Sequence, residues 1–204
     1  MNEDRDFDCF VLAISSHGEH LEKTVGDKTI VSDVIHCTDG YITTQNILQI
    51  FSDENCPGLT GKPRFCFIQA CRGRQLDPGV LINNHNIDIN YEYDKFGYHN
   101  KPFTNHIVTT PFPCMTDFLV MYATPPGYYA FRRMKEGSWF VLALAKVLRS
   151  ACRDKCDINK LLRQVVKEVS YGYQSESNNY ATDMKKQAPV IYSMLTKTVY
   201  MCPK

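Results

Sequence analysis

Residues 64–73, Arg-Phe-Cys-Phe-Ile-Gln-Ala-Cys-Arg-Gly, decide how the rest of the chain is read. Phe65–Ile68 are four consecutive apolar side chains, and the run breaks at a polar turn containing glycine. It is too short for a buried helix and has no polar face, which is the pattern of a strand covered on both sides in a parallel sheet. Two other stretches have the same form. Phe7–Ile14 ends in Ser15-Ser16-His17-Gly18, and Asp117–Ala123 ends in Thr124-Pro125-Pro126-Gly127. Elsewhere the period is helical: Ile47, Leu48 and Phe51 recur within 42–51 before Pro57-Gly58. Ser138 is placed to cap a helix over 139–152 that is apolar nearly all round. Asp157 is placed to cap a second, striped by Ile158, Leu161, Leu162, Val165, Val166 and Val169. Glu19–Asp39 reads as a hairpin or surface excursion, and Val190–Thr196 as a last strand. Strands alternating with helices predict an α/β layered fold with a mainly parallel central sheet flanked by helices.

Composition narrows the class of function. The 204 residues carry 23 Lys and Arg against 22 Asp and Glu, a balance unlike that of nucleic-acid or anionic-membrane binders. The longest apolar runs, 9–14 and 139–145, fall far short of a membrane span. The opening MNEDRDFD has neither a basic nor an apolar signal region, so a soluble, cytoplasmic protein is expected. Nine cysteines is an odd number, and several, such as Cys9 and Cys66, sit in apolar context. Cys152 and Cys156 form the closest pair and have no second pair nearby, so neither a disulfide framework nor a zinc site is indicated. No metal and no organic cofactor is expected. The forty residues Arg74–Pro113 lack any sustained period and read as a linker inside one fold.

In open α/β sheets, ligands bind beyond the carboxyl ends of the strands. Two of the strands predicted here end in His17-Gly18 and in Gln69-Ala70-Cys71. If they lie side by side, His17 and Cys71 share one sheet edge. A thiol beside an imidazole is a nucleophile with its base. The unobstructed N–H of Gly18, with that of Cys71, offers an oxyanion hole.

Gln69-Ala70-Cys71-Arg72-Gly73 also resembles the known caspase signature Q-A-C-[RQG]-G, whose histidine stands about 50 residues upstream. Here His17 precedes Cys71 by 54 residues. LTGKPR at 59–64, DFLVMYATPPGYYAFRR at 117–133, GSWF at 137–140 and KKQAPVIYSMLTK at 185–197 resemble caspases too, in caspase order along nearly the whole chain.

The resemblance implies a cysteine endopeptidase that cuts protein or peptide substrates after aspartate, acts in apoptosis or related signalling, and dimerises, with itself or a relative, through its small-subunit region. It implies a large-subunit region over 1–73, an intersubunit linker over 74–113 and a small-subunit region over 114–204. By the same resemblance Gln69 and Arg132 line the aspartate pocket, Tyr129 and Phe131 form an aromatic slot, and Arg133 and Trp139 shape a distal subsite. Asp94, in Tyr91-Glu92-Tyr93-Asp94, is the chosen maturation cleavage point. Against the family pattern, the first strands and helix are expected to be missing before Phe7. Residues 22–32 look inserted, and 176–184 are polar where effector caspases carry aromatics. A non-catalytic caspase-like chain that dimerises with and modulates intact caspases is the alternative.

Overall fold

The computed structural model describes residues 7–25, 27–80, 115–133, 136–151 and 155–201. In chain order the elements are β1 (Phe10–Ser15), β2 (Gly18–Val25), β3 (Lys28–His36), β4 (Tyr41–Thr43), α1 (Thr44–Ile50), β5 (Arg64–Gln69) and β6 (Phe118–Tyr122). Then come β7 (Arg132–Arg133), β8 (Gly137–Ser138), α2 (Trp139–Ala151), β9 (Cys156–Asp157), α3 (Ile158–Gly172), β10 (Val190–Ser193) and β11 (Tyr200–Met201). The central sheet has the order β1-β5-β6-β10. Its first three strands are parallel and β10 runs antiparallel to β6.

Every residue of β5 and of β6 is buried, as a continuous apolar run requires. Successive side chains point to opposite faces, so the two strands feed two cores. Phe65, Phe67, Leu119 and Met121 pack with Trp139 and Phe140 of α2 and Leu161 and Leu162 of α3. Cys66, Ile68, Val120 and Tyr122 pack with Ile47 and Leu48 of α1 and Ile35 of β3. The α3 stripe needs a defined start, and Asp157 provides it by accepting hydrogen bonds from the Asn159 and Lys160 N–H groups. Arg64, fully buried, anchors the start of β5 by donating to Leu59 O (2.8 Å), Thr116 O (3.0 Å) and the Asp53 carboxylate.

One sequence expectation needs correction. The first strand runs over 10–15 rather than 7–14 and is not covered on both faces: its residues alternate, with Val11 55% exposed. The reason is position, since β5 is its one neighbour in the described sheet. The start of the expected linker packs on the rest of the fold. Tyr129 N–H donates to Gln75 O and Lys186 N–H to Asp77 O, both at 2.9 Å, which ties 75–77 to the body. Residues 81–114, and Asp94 with them, lie outside the described residues. No described helix is long and apolar enough to cross a membrane.

Candidate active site

The β1–β5 register places Ser15 opposite Gln69. His17 and Cys71 each follow by two residues, so parallel pairing carries both to the same end of the sheet. Ser16 N–H extends the pairing by donating to Gln69 O at 3.1 Å. Gly18 then passes so close to the Cys71 backbone that a Cβ there would lie 2.6 Å from Cys71 O. His17, Cys71, Gln69, Tyr129 and Arg132 line one cleft of about 400 Å³, together with Ser15, Ser16 and Ala130. Five side chains singled out from the sequence therefore share one cavity.

The Cys71 sulfur is held by backbone. Ala130 N–H donates to Sγ at 3.4 Å, and the thiol donates to Ala130 O at 3.7 Å. Burial pushes this thiol above its ordinary value, and the Ala130 backbone bond opposes that shift. Among the described residues no hydrogen bond joins the His17 ring to the thiol. Gln69 is buried beside it, and its Oε1 has no hydrogen-bond partner among the described residues. Arg132 is exposed and forms no ion pair among the described residues. A planar cation with no ion-pair partner among the described residues has the donors to bind a carboxylate.

A larger groove of about 890 Å³ shares Tyr129 and Arg132 with this cleft and continues to Phe131, Arg133, Trp139 and Glu176. Its wall is an aromatic stack. Phe131 lies on Trp139 at 4.6 Å between ring centroids, Trp139 on Tyr173 at 5.6 Å, and Tyr129 meets Phe131 edge-on at 5.3 Å. Trp139 is buried and its indole N–H has no partner among the described residues. Arg133 pairs with Glu136 at 2.8 Å, which raises its pKa through that bond and the Glu136 charge. Among the described residues there is no cluster of His, Cys, Asp or Glu able to hold a metal ion.

Three supports of the site were not singled out in the sequence. Gln187, 2% exposed, accepts from Phe131 N–H at 2.7 Å and donates to Ala123 O at 2.8 Å, fixing the aromatic slot to the end of β6. The polar pair Lys186-Gln187 just before an apolar strand was the available signal. Ala130 acts through backbone atoms and leaves no residue-type signature. Asp33 pairs with Arg72, beside Cys71, from the segment read as a hairpin or surface excursion, which is the β2–β3 hairpin.

A caspase-domain family model matches residues 1–200. The chain belongs to the caspase family. Caspases are cysteine endopeptidases. Caspase-3 of Oryctolagus cuniculus is 34% identical over 191 residues, covering 94% of this chain and 58% of that relative. Caspase-7 of Gallus gallus is 33% identical over 195 residues, covering 96% and 55%. The crystal structure of caspase-1 from Spodoptera frugiperda superimposes with a TM-score of 0.73 at 29% identity, covering 100% of this chain and 65% of that one. The chain thus spans less than two thirds of the length of these caspases.

Proposed function

We propose that this caspase cleaves peptide bonds after aspartate with Cys71 as nucleophile and His17 as general base and acid. Cys71 Sγ attacks the scissile carbonyl as its proton passes to His17, and a C–S bond forms. The N–H groups of Gly18 and Cys71 stabilise the oxyanion. His17 then protonates the leaving amine as the C–N bond breaks, and activates the water that hydrolyses the thioester. Gln69 and Arg132 receive the aspartate carboxylate. The Arg132 strand pairs with the substrate backbone, Tyr129 and Phe131 form the next subsite, and Arg133 and Trp139 serve the distal one. The large-subunit part ends near residue 73 and the small-subunit part begins near 114. Two small-subunit parts meet through β10, and cleavage after Asp94 separates the two halves. Apoptotic or related proteolytic signalling is the role this reading implies.

The observation that carries the reading is one cleft holding His17, Cys71, Gln69 and Arg132, the last without an ion pair among the described residues. One observation favours the non-catalytic alternative: the half-buried thiol is tied to Ala130 rather than to His17, and partial burial raises its pKa, which disfavours the thiolate. Peptides varied at the residue before the cut, with Arg132→Lys as control, separate the two. The reading expects a strong preference for aspartate. It expects Arg132→Lys, which keeps charge but loses the planar fork, to cost roughly ten- to a hundredfold in kcat/KM. Equal cleavage by the Lys variant removes Arg132 from the pocket.

A further inference from the structure

Both halves of the proposed dyad are held by β3, which lies outside the central sheet. At the end of this strand His36 N–H donates to His17 O at 2.9 Å, and His36 O accepts from Ser16 Oγ at 2.7 Å. Three residues earlier, Asp33 Oδ2 accepts from Arg72 Nε at 2.9 Å and from Arg72 Nη2 at 2.5 Å. Both side chains are largely buried, at 7% and 13% exposure. The second carboxylate oxygen, Oδ1, lies 2.8 Å from Nδ1 of His20, the residue opposite Asp33 in the hairpin. Asp33 is therefore held by His20 on one oxygen and by the arginine on the other.

Arg72 passes this constraint to the nucleophile's surroundings. Its guanidinium lies 4.0 Å over the Tyr122 ring and donates to Thr124 O at 3.4 Å. Its backbone is locked to the next loop, with Arg72 N–H donating to Tyr128 O at 3.0 Å and Gly127 N–H to Arg72 O at 2.6 Å. That loop runs on to Ala130, the residue that grips the Cys71 thiol. One strand thus fixes the turn of the base through His36 and the loop of the nucleophile through Asp33. A neutral pair of similar shape can replace many buried ion pairs without loss of stability. What distinguishes this pair is its attachment to the residue bonded to Cys71.

We infer that Asp33 is a positioning residue for the Cys71–His17 pair, acting through Arg72. The inference rests on the dyad reading above, and its test has a readout that does not need turnover. The double variant Asp33→Asn/Arg72→Gln removes both charges, so no buried charge is left unpaired; Asn keeps the shape of Asp, and Gln is shorter than Arg. Three properties are measured: thermal unfolding, kcat and KM on an aspartyl peptide, and the rate of iodoacetamide alkylation at Cys71, located by mass spectrometry.

The expected double variant folds, and kcat falls about tenfold or more with KM within about threefold, since a misplacement near 1 Å costs up to about 10²-fold. Alkylation at Cys71 rises severalfold as the Ala130 grip loosens. A folded double variant with wild-type kcat and wild-type alkylation overturns the inference, because a purely structural pair predicts that result. If the double variant does not fold, Asp33→Glu replaces it. Its extra methylene displaces Arg72, and an unchanged alkylation rate again overturns the inference. If the wild-type chain turns over no peptide, that result counts against the dyad reading alone, and alkylation decides the role of Asp33.

Discussion

Replacing Gly18 with alanine places a Cβ 2.6 Å from Cys71 O, 2.8 Å from Ala70 Cβ and 2.9 Å from Val34 O. Two of these are backbone oxygens, on β3 and at the end of β5, and the third is a Cβ fixed to its own backbone. None can rotate away. Restoring the 3.4 Å of ordinary contact to Cys71 O means a shift of 0.8 Å between the His17 turn and the Cys71 turn. Overpacking of this kind costs about 1–3 kcal/mol, and three immovable neighbours put Gly18→Ala near the top of that range. For a chain of this size that lowers the thermal midpoint by roughly 6–12 °C. The same shift acts on the spacing of the proposed dyad, where misplacement by about 1 Å reduces rate up to about 10²-fold. The assays are urea denaturation and the rate of Cys71 labelling by an aspartyl electrophile. Stability within about 0.5 kcal/mol of wild type together with labelling within about twofold refutes this reasoning, because such surface-like tolerance means the turns are not in contact.

Gln187→Leu leaves Phe131 N–H and Ala123 O without partners at about 1–3 kcal/mol each, so urea denaturation should show a loss of roughly 2–6 kcal/mol. KM for peptides filling the Tyr129–Phe131 slot should rise, and an unchanged KM shows that the slot does not depend on Gln187. Burial pushes the Cys66 thiol up from 9.0 to about 12, opposed by the Arg64 charge. The folded pKa exceeds the unfolded one, so this stability is intact below pH 9 and is lost as pH rises toward 12. The loss from this group is on the order of 1 kcal/mol by pH 10. Cys71 and Tyr122 are shifted in the same direction. Denaturation titrations at pH 8 and pH 10 should show a shallower decline in Cys66→Val, and an identical decline contradicts the assignment.

The legible parts of the molecule were those whose physics is local. β5 was readable to the residue because burial on both faces demands an unbroken apolar run. The α3 stripe and its Asp157 cap were readable because helix periodicity and capping act within a few residues. For β1, a run that is apolar throughout hides which side chains face outward. Val11 and Ala13 are apolar yet exposed, so the buried-strand pattern does not hold, while the expected position at one side of the described sheet does. The antiparallel direction of β10 is not encoded in four residues; it follows from pairing with β6. In the site, His17 and Cys71 stood out as reactive residue types after strands, and register then brought them together. Asp33 did not stand out, since its partner Arg72 is 39 residues away and neither neighbourhood announces the other. Ala130 works through its N–H and C=O, which every non-proline residue carries, so no sequence pattern marks it.

The most direct test of the central claim is covalent capture. The chain is incubated with a peptide electrophile that carries aspartate at the position of the cut, and the modified residue is located by mass spectrometry. The account predicts one adduct, on Cys71, that disappears in Cys71→Ala and forms much more slowly in His17→Ala. An adduct on another of the nine cysteines, or labelling of Cys71 at the same rate without His17, contradicts it.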